Sequence, residues 1–245
     1  MRILIIGSGD AFSTTRYGCC ALVEGPAGRV MIDCPAPIHR AAREAAERAR
    51  WDVDVAAIDD IIVTHLHGDH SNGLEAVGFD RRMRRPDAGK PRLHINEDAA
   101  KRLWEKLAPA MDGSWPEGKA SRGLGDFFEV KRLVVGKVSE VAGLRVECRM
   151  TGHPVPTTAL RLSDGRRMVG WSSDTPFDEG LIGWLGEADV VIHETSHGPV
   201  HTALEALNGL PAAVRGRMRL IHLPDDFEQG ATDIRGLEAG EVLEV

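Results

Sequence analysis

Thr64-His65-Leu66-His67-Gly68-Asp69-His70-Ser71-Asn72-Gly73 is the stretch on which the fold of this chain turns. It follows Ile58-Asp59-Asp60-Ile61-Ile62-Val63, a short apolar run bounded by carboxylates that predicts a buried strand. Ser71-Asn72-Gly73 then opens a short helical stretch over Leu74 to Val77, so the cluster is expected at a strand-to-helix turn. Side chains two apart on extended chain share a face, which groups His65 with His67. Past Gly68 the chain can turn Asp69 and His70 toward a neighbouring point. Three imidazoles and a carboxylate this close in sequence offer one pair of ligands to each of two metal ions. The competing reading is a polar turn whose histidines only cap and pack, and the density of donors argues against it.

Outward from this centre, Met1 to Gly7 reads as a strand and Gly7-Ser8-Gly9-Asp10 as a tight turn. No third glycine and no helical pattern follow, so it is not a dinucleotide fingerprint. Cys19 to Glu24 and Arg29 to Cys34 are strands joined by Gly25-Pro26-Ala27-Gly28, a hairpin signal. Ala36 to Arg50 predicts an amphipathic helix with His39 on its surface, and Asp33 is placed to cap it. Beyond the centre, Phe79 to Pro86 is the one concentrated basic run, expected as a solvated loop, with contact to an anionic substrate as the alternative. Arg92 to Ile95 is a strand carrying a satisfied His94, and Asn96 caps a helix to about Leu107. The Gly-, Pro- and Ser-rich stretch 109–125, with Trp115, predicts a long loop at the substrate entrance. Phe127 to Val135, Lys137 to Val141 and Leu144 to Met150 are expected as strands of a second sheet.

The 245 residues suit one domain, 1–245, with 42% hydrophobic and 27% charged residues as in ordinary globular proteins. A net charge of −7 disfavours a protein built to grip a nucleic-acid backbone. No run approaches a membrane span, and the apolar start is too short for a signal peptide. Four cysteines without a CxxC pair point to buried thiols in a reducing compartment, the cytoplasm.

His65-x-His67-x-Asp69-His70 after a strand resembles the signature of the metallo-β-lactamase-fold hydrolases. That resemblance implies an α/β four-layer αββα sandwich and supplies the remaining ligands at strand ends. His153 follows Met150, Asp174 follows the run from Met168, and His222 follows Arg219-Leu220-Ile221. It implies one metal on His65, His67 and His153, a second on Asp69, His70 and His222, and Asp174 between them. Asp33 would support those ligands from behind. Two Zn²⁺ suit nitrogen and carboxylate donors without thiolates, and Mn²⁺ or Fe²⁺ fit the same set.

Asp189-Val190-Val191-Ile192-His193-Glu194-Thr195-Ser196 and His201-Thr202 are similar to motifs of ribonuclease Z. By that resemblance Glu194 and His201 form a charge-coupled pair in which His201 protonates the leaving oxygen, while His193 and His197 are supporting or surface residues. The bland reading of the pair is a strand end and a helix cap. The short step from His153 to Asp174 leaves no room for a tRNA-gripping arm, and Leu223-Pro224-Asp225-Asp226 departs from the ribonuclease Z sequence. The spacing also resembles small cyclic phosphodiesterases of phosphonate metabolism, without their cysteine-rich zinc site. The expected function is hydrolysis of small cyclic or linear phosphodiesters by a metal-bridging hydroxide, with Asp69 among the catalytic groups. Structured tRNA is disfavoured as substrate, and the related enzymes imply a homodimer. The alternatives are a lactonase or (thio)ester hydrolase of the same fold, or a nucleotide- or metal-binding protein.

Overall fold

The apolar runs of the sequence become the strands of two stacked sheets in the computed structural model, which describes residues 1–113 and 122–245. Among the described residues each sheet has seven strands. The first runs, edge to edge, Val242–Glu244, Arg2–Gly7, Cys20–Gly25, Gly28–Ile32, Asp60–Val63, Arg92–Asn96 and Glu129–Leu133. The second runs Arg235–Gly236, Met218–Ile221, Val190–Glu194, Met168–Trp171, Thr158–Ser163, Leu144–Met150 and Ser139–Val141. Each is antiparallel in one half and parallel in the other.

Strand periodicity sorts side chains between the layers. Ile3 and Ile5 face the second sheet, where they meet Leu160, Leu162, Trp171 and Ile192, while Leu4 and Ile6 face the helices. Ile62 likewise points between the sheets, with Ile61 and Val63 on the other side. Helix Ile38–Ala49 buries Ile38, Ala41, Ala42, Ala45 and Ala46, a helical stripe, against that outer face. Its opposite side carries the pairs Arg40–Glu44 and Arg43–Glu47. Helix Glu179–Leu185 covers the second sheet through Leu181, Ile182 and Leu185. Helices therefore lie outside both sheets, the four-layer αββα arrangement the sequence predicts. No helix of the described residues is long and apolar enough to cross a membrane.

Four expectations need correction. The helix after Gly73 does not stop at Val77 but runs Leu74–Arg84, so most of the basic run is helical rather than loop. Leu74, Val77, Gly78 and Arg81 form its buried stripe, and arginine is a good helix former. Arg81 itself is buried and donates to the Ile58 carbonyl at 2.7 Å and to Asp59 at 2.8 Å. With Arg84 on Asp80 and Arg85 on Asp54, these guanidiniums are occupied by protein carboxylates. The helix capped by Asn96 extends to Met111, because Leu103, Leu107 and Met111 continue its buried face through Pro109. The expected loop 109–125 is thus helical at its start and again at Leu124–Phe127, while 114–121, with Trp115, lies outside the described residues. Finally, Glu129–Leu133 pairs with Arg92–Asn96 and closes the first sheet rather than opening the second. Its side chains are mostly exposed, so nothing in its pattern specified a partner.

Candidate functional site

The parallel strands end on one side of the sandwich, and their C-terminal ends carry the chemistry, as in other α/β sheets. Asp33 follows Gly28–Ile32, the residues 64–70 follow Asp60–Val63, Asp174 follows Met168–Trp171, and His222 follows Met218–Ile221. Glu194 is the last residue of its own strand, and His153 follows the antiparallel strand Leu144–Met150. Three of the turns hold a non-glycine residue in left-handed backbone: Asp33 at φ 60°, Ser173 at 53° and His222 at 59°. Such conformations cost free energy, and they cluster here at the residues that aim or support donor groups.

The structure gathers all seven expected metal donors. One group is His65, His67, His153 and Asp174; the other is Asp69, His70, Asp174 and His222. In the first, His153 Nε2 and His67 Nδ1 lie 3.1 Å apart, and His65 Nε2 is 3.6 Å from Asp174 Oδ2. Two nitrogens on one tetrahedral zinc would stand about 3.3 Å apart. In the second, His70 Nε2 and His222 Nε2 each lie 3.2 Å from Asp69 Oδ2. Asp174 reaches both groups, with Oδ1 3.2 Å from His70 and Oδ2 3.9 Å from His153.

The surroundings select ring tautomers. His70 Nδ1 donates to Asp33 Oδ2 at 2.8 Å, and His153 Nδ1 donates to the Val200 carbonyl at 3.2 Å. Thr64 Oγ1 donates to Asp33, so its oxygen is free to accept from His65 Nδ1 at 3.1 Å. Each partner leaves an Nε2 lone pair for the centre. Asp33 is therefore a support for the donor groups and not a helix cap; the following helix has no side-chain cap. Buried His65 Nε2, His70 Nε2 and Asp174 Oδ1 have no hydrogen-bond partner. Buried polar atoms are rarely orphaned, so these fit a divalent cation shared among them.

Burial raises the carboxyls of Asp69 and Asp174, but the adjacent imidazoles of His70 and His222 outweigh it and hold both well below the usual range. Burial pulls His65, His67 and His153 down, which keeps them neutral. Burial also opposes protonation of His70 and His222, yet Asp174 and its neighbouring carboxylates raise both. A cation would compete with those protons for the same lone pairs.

His201 and Glu194 also meet. His201 Nδ1 donates to Glu194 Oε1 at 3.0 Å, and the same oxygen accepts from Thr175 N at 2.8 Å. Glu194 is buried, whereas the His201 side chain is 16% exposed on a cavity that also reaches His222. His193 is fully buried, its Nδ1 donating to the Glu194 carbonyl. His197 is a surface residue paired with Asp226 at 2.9 Å. His94 is satisfied by Asp60 at 2.7 Å, and His39 pairs with Asp80 at 2.8 Å. Sequence reasoning missed Thr64 and Asp225. Thr64 was legible as the residue joining strand to motif, whereas Asp225, which binds Ser13, Thr14 and Thr15, acts across a separation no local pattern reveals.

Two stacked mixed sheets with these donors at their strand ends define a metal-dependent hydrolase of the metallo-β-lactamase fold. The metallo-beta-lactamase fold protein YhfI from Bacillus subtilis superposes with a TM-score of 0.75 at 16% identity, covering 99% of this chain and 98% of that one. Human short-form tRNase Z superposes with a TM-score of 0.70 at 16% identity, covering 100% and 99%. The family model described as Anti-Pycsar protein Apyc1 matches residues 1–239, and the chain belongs to that family. Anti-Pycsar protein Apyc1 of Paenibacillus sp. (strain J14) is 30% identical over 95% of this chain and 94% of its own. The cAMP/cGMP-dependent 3′,5′-cAMP/cGMP phosphodiesterase B of Dictyostelium discoideum is 23% identical over 77% of this chain and 18% of that protein. The enzyme class is a phosphodiesterase-type, metal-dependent hydrolase.

Proposed function

We propose that this chain, as one catalytic domain, hydrolyses 3′,5′-cyclic mononucleotides with two divalent ions, zinc first among them. The observation that carries the reading is the Glu194–His201 pair, 3.0 Å long, standing beside two donor groups that share Asp174. A lactonase or thioesterase would need the donors but not the pair. His65, His67 and His153 would hold one ion, Asp69, His70 and His222 the other, with Asp174 between. When bound, the ions would activate water and offset charge on the phosphoryl oxygens.

The chain's own part in the reaction is proton delivery and positioning. The Glu194 carboxylate, buried beneath His201, offsets the burial of the ring and raises its pKa, so a protonated imidazole is available near neutrality. Nδ1 is committed to Glu194, which leaves Nε2 to protonate the departing ribose oxygen. Asp33, Thr64 and Val200 keep the donor rings in register through the bonds described above. The name of the Dictyostelium discoideum relative favours a cyclic nucleotide as substrate over structured RNA. All four cysteines are buried free thiols, which fits the cytoplasm. The family resemblance favours a homodimer, which light scattering would test.

The test is initial rates on cyclic AMP and bis(p-nitrophenyl) phosphate before chelation, after it, and after Zn²⁺ or Mn²⁺ is restored. A phosphomonoester and a simple lactone run as controls. Metal-dependent diester cleavage that outpaces both controls is the expected result. Faster lactone cleavage, with metals confirmed bound, would refute the proposal.

A further inference from the structure

Phe12 is 88% exposed, the most exposed large apolar side chain among the described residues. Its loop is held rather than loose. Asp225 accepts from Ser13 Oγ at 2.5 Å, Thr14 Oγ1 at 2.6 Å and Thr15 Oγ1 at 2.7 Å. Phe12 N donates to Asp10 Oδ1 at 3.0 Å, and Asp10 Oδ2 accepts from Ser196 Oγ at 2.9 Å. These bonds fasten the loop to the segments following Glu194 and His222, so the backbone that carries the phenyl ring is held in place. That place is the wall of a cavity of about 310 Å³ which His201 and His222 also line. The volume lies at the small end of ligand sites, of order a few hundred Å³.

The ring's position acquires meaning from the direction of the reaction. His201 must reach the oxygen that departs, and in a 3′,5′-cyclic mononucleotide that oxygen belongs to the ribose. The ribose and its base therefore lie on the His201 side, in the cavity that Phe12 borders. The same wall carries Asp225 and Asp226, which disfavour substrates bearing further phosphates. A neutral nucleoside with a single phosphodiester suits it. We infer that Phe12 is the platform on which the nucleobase stacks, and so a substrate-positioning residue. The inference rests on the phosphodiesterase reading and deepens it. An aromatic face accepts every base, so the contact supplies affinity without choosing between purines and pyrimidines.

The experiment compares wild type, Phe12→Ala and Phe12→Trp, each loaded with Zn²⁺, on two substrates. One is cyclic AMP; the other is methyl β-ribofuranoside 3′,5′-cyclic phosphate, the same ring system with no base. The readout is the ratio of kcat/KM for the two. Phe12→Ala is expected to lower that ratio about tenfold, through KM for cyclic AMP, and Phe12→Trp to restore it. A ratio unchanged within about twofold in Phe12→Ala overturns the inference while leaving the phosphodiesterase reading intact. Equal losses on both substrates with a change in oligomeric mass would make Phe12 an assembly contact and overturn it as well. Wild-type enzyme that cleaves neither substrate would refute the phosphodiesterase reading itself.

Discussion

Asp33→Asn separates the support of the donor rings from the donors themselves. Asp33 is fully buried and accepts from Thr64 N at 2.8 Å, from Thr64 Oγ1, and from His70 Nδ1 at 2.8 Å. Its φ of 60° is one that asparagine tolerates well, so the backbone need not move. The Thr64 amide fixes the asparagine oxygen on its own side, which turns the NH₂ toward His70. His70 Nδ1 must then accept, and the ring proton moves to Nε2, the atom 3.2 Å from both Asp69 and Asp174. A protonated Nε2 has no lone pair to give a metal. Loss of such a supporting bond weakens metal affinity by about 10- to 100-fold, or about 1.4–2.7 kcal/mol. Titration of the metal-free protein with Zn²⁺ against a chromophoric chelator should show one binding step shifted by that factor and the other nearly unmoved. Circular dichroism verifies that the variant is folded. A folded variant whose two steps both match wild type within about threefold would refute the tautomer argument.

His201→Ala should slow cyclic AMP hydrolysis by about 10²- to 10⁴-fold, and diesters with a p-nitrophenolate leaving group far less, because nitrophenolate needs no proton. Equal slowing of both would remove His201 from the acid role. Asp174→Ala should abolish turnover and release at least one metal equivalent, measured by elemental analysis; retention of both ions at wild-type rate would exclude a shared carboxylate. Asp60 tests the fold rather than the site. Burial raises its carboxyl, but bonds from His94 and Arg92 overcome this and pull it down to about 2. A depressed carboxyl contributes stability above its unfolded pKa of about 4 and loses it as pH falls toward 2. Asp60→Asn should therefore lower thermal stability at pH 7 by about 2 kcal/mol, and the gap from wild type should narrow between pH 4 and pH 2. A gap constant with pH would refute the assignment.

The donor motif at residues 65–70 was legible because its ligands are adjacent in sequence, so spacing alone brings them together. His153, Asp174 and His222 were legible only as strand ends matched to a family pattern, since no local rule says which strand ends converge. Val200 acts through a single backbone carbonyl, which leaves no mark in composition, whereas Thr64, bonded to both Asp33 and His65, was marked only by its place at the junction of strand and motif. The sheet assignment of Glu129–Leu133 failed because an exposed edge strand carries no periodic signal of its neighbour. Arg81 misled in the opposite sense: its charge reads as surface, whereas its stem and guanidinium fill a buried place on the helix.

The first sheet joins the two ends of the chain. Val242–Glu244 pairs with Arg2–Gly7, the Met1 ammonium donates to the Val245 carbonyl at 3.0 Å, and Val245 N returns a bond to Met1. Traced as a closed ring through the described residues, the strands change sheet twice, once near Gly136 and once between Gly236 and Val242. Around Gly136 the chain is open to solvent, with Val135 and Val138 both exposed. Linking the ends and cutting there would give a circular permutant in which one sheet is completed before the other begins. The donor groups at the seam would then be divided cleanly: His153, Asp174 and His222 on the leading half, and residues 65–70 on the trailing one.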